Sequence, residues 1–154
     1  MKKLIIATLV LLSLNSVSAQ IENPVQWNFS AKKVAPGIYD IVLMAVIEKP
    51  WHLYSQFTGK GGPIPTNISI RPNPLLQSAS GKFKEIGKPE KTLDPNFGQP
   101  PVPVVYFSNE VTFIKRVTVR GKVSTNVSGT VEYMVCNDNK CLPPTKKTFD
   151  IKLP

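Results

Sequence analysis

The chain has 154 residues, with 19 Lys and Arg against 10 Asp and Glu, one histidine and two cysteines, for a formal charge of +9. The cations are scattered (Lys32-Lys33, Lys82, Lys84, Lys88, Lys91, Lys115-Arg116, Lys146-Lys147), gather on no helix and accompany no aromatic-basic motif, so nucleic acid is set aside as a partner. Two cysteines and one histidine are also too few for a four-ligand zinc site, and no serine-histidine-aspartate or glycine-rich phosphate signature is present.

In chain order, a positive start (Met1-Lys2-Lys3), an apolar run from Leu4 to Leu14 and the small-residue site Val17-Ser18-Ala19 predict a secretory signal peptide over residues 1–19, cleaved before Gln20. The run is too short and wrongly flanked for a membrane span; a retained amino-terminal anchor is the alternative. Loss of Lys2 and Lys3 with the leader lowers the charge by two, to +7. Export places the cysteines where disulfides persist.

Residues 20–154 make one domain of about 135 residues, long enough for a single core. Fifteen prolines and nine glycines punctuate it, with no internal repeat. Val25–Ser30 is a predicted strand. Gly37–Ile47 is apolar on both parities, which predicts a central strand covered on two sides. Short strands follow at Trp51–Ser55, Asn67–Arg71 and Lys82–Ile86. Val111–Val119 alternates, with Val111, Phe113, Val117 and Val119 on one parity and Thr112, Arg116 and Thr118 on the other. Gly129–Cys136 sets Val131, Tyr133 and Val135 against Glu132, Met134 and Cys136, and Thr148–Leu153 closes the series. Trp27 and Trp51 read as core. No stretch has a helical period. About seven to nine short strands predict an all-β chain, an immunoglobulin-like antiparallel β-sandwich, a fold that by itself names no function.

Cys136 and Cys141 enclose Asn137-Asp138-Asn139-Lys140, a run of turn formers suited to a four-residue hairpin loop. The cysteines would then oppose each other at ~4.5–5.5 Å between Cα atoms, within reach of a disulfide. So short a loop stabilises by only about 2 kcal/mol in the chain-entropy model, against about 4.7 for a hundred-residue loop. A loop tip also exposes both sulfurs to a partner. Spacing alone leaves a structural bridge and an exchanging pair evenly matched. A copper(I) site from Cys136, Cys141 and Met134 or His52 is a further alternative. The spacing is not that of a thioredoxin motif. Lys140 favours a thiolate at Cys141 and Asp138 opposes it.

The segment Val131-Glu132-Tyr133-Met134-Val135-Cys136-Asn137-Asp138-Asn139-Lys140-Cys141-Leu142-Pro143-Pro144-Thr145 resembles the end of the amino-terminal periplasmic domain of the thiol:disulfide interchange protein DsbD, in its Bacteroidetes versions. Trp51-His52-Leu53-Tyr54-Ser55-Gln56, Gly61-Gly62-Pro63-Ile64-Pro65-Thr66 and Leu93-Asp94-Pro95-Asn96-Phe97 add to the likeness in order along the chain. The resemblance implies a periplasmic protein of a Gram-negative bacterium and an immunoglobulin-like domain that relays reducing equivalents without a cofactor or metal. It implies thioredoxin-like proteins and a membrane electron carrier as donors. The implied acceptors are periplasmic disulfide proteins, cytochrome c maturation factors among them. Cys141 would match the cysteine that forms mixed disulfides and Cys136 the resolving thiol. Phe97 would match the phenylalanine of a cap loop over the pair, and His52 and Tyr54 positions lining it.

Each role has a plainer rival. Phe97 can anchor a proline-rich loop, Tyr54 can be a half-buried strand residue, and His52, with an ordinary pKa near ~6.5, either assists proton transfer or packs beside Trp51. Two departures stand out. The family continues into a membrane domain and a thioredoxin-like domain, whereas this sequence reaches Pro154, so a stand-alone monomer with a separate donor is expected. The cap loop carries one carboxylate, Asp94, in place of an acidic pair. The reading from another class is a secreted immunoglobulin-like binding module with a structural hairpin disulfide.

Overall fold

The computed structural model describes residues 22–154; the signal peptide predicted for residues 1–19 and its cleavage point lie outside the described residues. The strands run β1 (Val25–Ala35), β2 (Ile38–Ile47), β3 (His52–Tyr54), β4 (Asn67–Ile70), β5 (Leu76–Ser78), β6 (Lys84–Gly87), β7 (Glu90–Asp94), β8 (Val102–Phe107), β9 (Glu110–Val119), β10 (Asn126–Tyr133), β11 (Val135–Cys136) and β12 (Thr145–Lys152). All pairings are antiparallel. Among the described residues no helix is long and apolar enough to cross a membrane.

The largest sheet has the order β1-β2-β9, with β5 and β6 both pairing to the far edge of β9. Gly37 turns the β1–β2 hairpin with φ +70°, in the left-handed region that favours glycine. On β9 the predicted alternation holds, with Val111, Phe113, Val117 and Val119 buried and Arg116 and Thr118 exposed. Arg116 reaches across the ladder to Asp40 with two hydrogen bonds, at 2.8 and 2.9 Å. The guanidinium hydrogen bond holds the Asp40 carboxyl below the usual range, against the opposing effect of burial.

The two-sided cover expected for β2 is corrected. Tyr39, Ile41, Leu43, Ala45 and Ile47 are buried, but Val42 and Met44 are only half-buried and Val46 is exposed. The strand is central within its sheet, and its outer apolar residues are sheltered sideways: Val42 lies between Ser30 and Ile114 in register. Lateral neighbours in a ladder substitute here for a second layer.

A three-stranded sheet, β12-β10-β4, packs its inner face on this one. Val127, Val131, Tyr133, Phe149 and Ile151 meet Ile41, Leu43 and Phe113 in one buried core. Aromatic pairs bridge the layers, Phe29 with Phe149 (centroids 5.4 Å apart) and Trp27 with Tyr133 (5.3 Å). Trp51 is buried in this core and Trp27 lies half-buried against it. Gly129 is required on β10, because a Cβ there would stand 2.3 Å from the Ser69 carbonyl oxygen and 2.3 Å from the Phe149 ring.

A four-stranded sheet, β11-β3-β8-β7, contributes Leu53, Phe107 and Val135 to the same core. Strands β5, β7 and β8 were not among those predicted, and β1 and β12 run longer than expected. The exposed run Glu90–Asp94 shows no alternation because β7 is an edge strand, and Pro103 interrupts the apolar pattern of β8. Proline fits there because β3 pairs with β8 only through Tyr106 and Phe107, leaving position 103 beyond its reach.

Candidate redox site

The strand that completes the core also carries the cysteines. β10 ends at Tyr133, and after Met134 the chain joins the four-stranded sheet as β11, pairing Val135 with Leu53 and Cys136 with His52. Tyr133 and Val135 point into the main core, while Met134 and Cys136 take the other face, the parity predicted from sequence. There Tyr54, Val104 and Cys136 are buried together, with Phe97, Tyr106, Met134 and Cys141 packed around them.

Cys136 and Cys141 are joined by a disulfide, with Cα atoms 4.0 Å apart, closer than in a regular ladder. Hydrogen bonds from Leu142 N to Val135 O and from Asn137 N to Lys140 O, both 2.9 Å, flank the pair. The cysteines are therefore the non-hydrogen-bonded pair of the hairpin. The Asn137 side-chain oxygen accepts from the amides of Asn139 and Lys140, both at 2.9 Å, which fixes the turn. The expectation that both sulfurs are reachable is corrected: Cys136 is 2% exposed, and only Cys141 is partly open. The reason is local. Cys136 belongs to a paired strand beneath the aromatic cluster, while Cys141 begins the exit from the turn. Lys140 is held by Glu22 at 2.6 Å and lies 5.8 Å from the Trp51 ring centroid.

Tyr54 is completely buried, not a half-exposed strand residue. Its carbonyl accepts the Thr66 hydroxyl at 2.5 Å, so the loop containing Gly61-Gly62-Pro63-Ile64-Pro65-Thr66 is tied to the site. A Cβ on Gly62 would come within 3.1 Å of Val102, so glycine lets that loop lie against β8. Phe97, in a short 3₁₀ turn (Pro95–Phe97) after β7, meets the Tyr54 ring edge-on at 6.2 Å. His52 does not pack beside Trp51. Strand alternation sends Trp51 to the main core and His52 to the cysteine face, where its ring lies 4.4 Å from Tyr106 and 5.2 Å from Tyr54.

A hydrogen-bond chain runs through these side chains. His52 Nε2 is 3.1 Å from the Tyr54 hydroxyl, and Tyr54 is hydrogen-bonded to Asp94. With the phenol proton given to the carboxylate, Nε2–H donates to Tyr54. Burial, and then the Asp94 charge, push the Tyr54 pKa well above its ordinary value. Burial pushes His52 down, against the opposing pull of Asp94, Asp138 and Glu90. Tyr106 is raised by burial and by the same three carboxylates.

The structure thus gathers Cys136, Cys141, His52, Tyr54, Asp94 and Phe97 around the outer face of the four-stranded sheet. Val104, Tyr106 and Glu90 complete the surroundings and were not singled out from sequence. The parity of Val102, Val104 and Tyr106 carried a signal, which Pro103 hid. Met134 also packs on the cysteine cluster, but no group of three or more His, Cys, Asp or Glu among the described residues is arranged to hold a metal ion.

These features define a β-sandwich domain that presents a hairpin disulfide under an aromatic lining. Residues 19–153 match the family described as "Thiol:disulfide interchange protein DsbD, N-terminal", and the chain belongs to that family. Among solved structures it is similar to the N-terminal periplasmic domain of ScsB from Proteus mirabilis (TM-score 0.56, 17% identity, covering 87% of this chain and 48% of that one). It is also similar to the reduced DsbD N-terminal domain of Neisseria meningitidis (0.50, 18%, covering 84% and 85%). A third neighbour is the complex of the DsbD and PilB N-terminal domains from the same organism (0.52, 17%, covering 85% and 87%). The chain spans about half the length of the ScsB domain. No curated protein sequence matches it. At these identities the structural likeness carries the fold, an immunoglobulin-like β-sandwich as the strand pattern predicts.

Proposed function

We propose that residues 20–154 form a periplasmic domain, exported by the signal peptide, that exchanges disulfides with partner proteins through Cys136 and Cys141 and relays reducing equivalents as a protein-disulfide reductase. Family membership supports the class of chemistry, and the observation that carries the reading is the inequality of the two sulfurs. Cys141 is partly open at the hairpin exit, and Cys136 is buried behind it. In the reduced form the Cys141 thiolate attacks a partner disulfide. Cys136 then attacks the Cys141 sulfur, which re-forms the internal bridge and releases the reduced partner. Phe97 acts as a cap that shields the pair until a partner docks. Thioredoxin-like proteins supplied by a membrane electron carrier are the donors. Periplasmic disulfide proteins, including cytochrome c maturation factors, are the acceptors. The structural neighbour solved with the PilB N-terminal domain is a precedent for a protein partner.

The test is trapping. Cys136→Ser should accumulate mixed disulfides through Cys141 in periplasmic extract, and Cys141→Ser should accumulate none. A wild-type bridge whose reduction potential lies below about −300 mV, together with no adduct in the Cys136→Ser variant, would leave a structural disulfide and refute the proposal.

A further inference from the structure

Reduction of the bridge raises a charge problem that the surroundings of Cys136 pose sharply. A donor thiolate attacks Cys141 Sγ; a new S–S bond forms there, the Cys136–Cys141 bond breaks, and its electron pair stays on Cys136 Sγ as a thiolate. That sulfur is 2% exposed and packs with Tyr54 and Val104. Removing a thiolate from water is unfavourable unless an opposite charge accompanies it. The charged neighbours of the cysteine cluster are mostly acidic. Glu90 and Asp94 on β7 and Asp138 in the turn act on both His52 and Tyr106. Lys140, the cation of the turn, is engaged by Glu22 and lies over Trp51.

One side chain there can become a cation near neutral pH. His52 is the in-register partner of Cys136 on β3, so the two side chains stand on the same face one cross-strand spacing apart. Tyr54 on its own strand fixes the ring through Nε2, and Tyr106 on β8 stacks against it. With Nε2–H committed to Tyr54, Nδ1 is the position that accepts a further proton. The chain's only histidine therefore faces the sulfur that must carry charge.

We propose that His52 is the counter-charge of Cys136: when the bridge opens, the imidazole takes up the proton released by the donor thiol while the Cys136 sulfur takes up the electron pair. On re-oxidation the Cys136 thiolate attacks Cys141, its charge leaves with the partner, and His52 returns the proton. This assigns His52 a positioning and proton-handling role and rests on the exchange reading above. The ring is held down by burial while the bridge is closed, and a thiolate beside it removes that bias.

Because the chain has a single histidine, one ring resonance reports the answer in the wild-type protein. The His52 titration is followed by NMR in the oxidised protein and after reduction with dithiothreitol. The expected result is a rise of about one pH unit or more on reduction, a tenfold gain in proton affinity. Relative to the oxidised wild type, the midpoint should be raised in Cys141→Ser, which keeps the Cys136 thiol, and not raised in Cys136→Ser. Equal midpoints in the oxidised and reduced wild type overturn the proposal, as does a midpoint in Cys136→Ser as high as that of the reduced wild type. A second readout is the rate of bridge reduction by a thioredoxin-like protein between pH 5 and 8. His52→Gln, which retains a donor for Tyr54, should flatten that profile without abolishing exchange, and an unchanged profile counts against the role. Chemical reduction needs no partner, so a protein that never exchanges with thioredoxin-like proteins would still show or fail to show the His52 shift.

Discussion

Replacement of Phe97 by alanine tests the cap at its one well-defined contact. The ring meets Tyr54 edge-on at 6.2 Å, inside the range over which perpendicular aromatic pairs attract. Such a pair contributes about 0.5–1.5 kcal/mol beyond simple burial. If that contact holds the loop closed, its loss shifts the closed-to-open ratio by about two- to twelvefold, since about 1.4 kcal/mol is a factor of ten. Reduction of the bridge by a small thiol, which requires the open form, should accelerate by that factor. Global stability should fall by no more than about 1–2 kcal/mol, because the ring belongs to the small cluster around Cys136 and not to the main core. The assay is the pseudo-first-order rate of reduction by excess dithiothreitol, followed through tryptophan fluorescence or thiol labelling. Leu93→Ala is the control: it lies beside the same loop, is 63% exposed and should leave the rate unchanged. A Phe97→Ala rate equal to wild type, or slower, would refute the shielding argument.

Four further outcomes follow from the same geometry. Reducing the bridge should lower unfolding free energy by only about 2 kcal/mol in a denaturant titration, the fold remaining cooperative, because the closed loop is short. Gly129→Ala should cost about 1–3 kcal/mol or prevent folding, since the added methyl meets the Ser69 backbone as well as Phe149; an unaltered melting temperature would contradict the packing. Glu85→Ala should destabilise by about 2 kcal/mol, because the carboxylate accepts from Ser55 Oγ (2.7 Å), Gln56 N (2.8 Å) and Gln56 Nε2 (3.2 Å), and Ser55 and Gln56 are buried; thermal unfolding reads this directly. Tyr54 binds its proton more tightly folded than unfolded, so stability should fall as pH rises above about 10, where the unfolded chain ionises first; Tyr54→Phe should reduce that slope.

Where one face of a strand is buried, the sequence was readable. Val111, Phe113, Val117 and Val119 announce β9, and by alternation alone Cys136 falls on the face opposite Val135, away from the main core. What was hidden depends on partners distant in the chain. β7 has no buried face to create a pattern, and Pro103 masks β8. The mixed apolar character of β2 reflects neighbours within its own sheet, which in sequence looks the same as cover from a second layer. At the site, the turn formers between the cysteines announced the hairpin. The burial of Cys136 did not follow from them, because it is created by Tyr54 and Val104, residues 82 and 32 positions earlier in the chain. The pairing of His52 with Cys136 is likewise a fact of register between β3 and β11 and has no local signature.

The passage of one chain segment from the three-stranded sheet to the four-stranded sheet at Met134 sets the mechanical character of the sulfurs. Tyr133 and Val135, on either side of Met134, are embedded in the main core, so the backbone that bears Cys136 is anchored to the sandwich on both sides of the crossing. The Cys136 sulfur is packed against Tyr54 and Val104, whereas Cys141 lies at the partly open exit of the turn. On the exchange reading proposed above, a partner must bring its sulfur to Cys141, the one cysteine of the pair that is partly open. Selectivity among thiols then becomes a matter of which protein surface can seat itself against the side of the domain where the anchored hairpin presents Cys141.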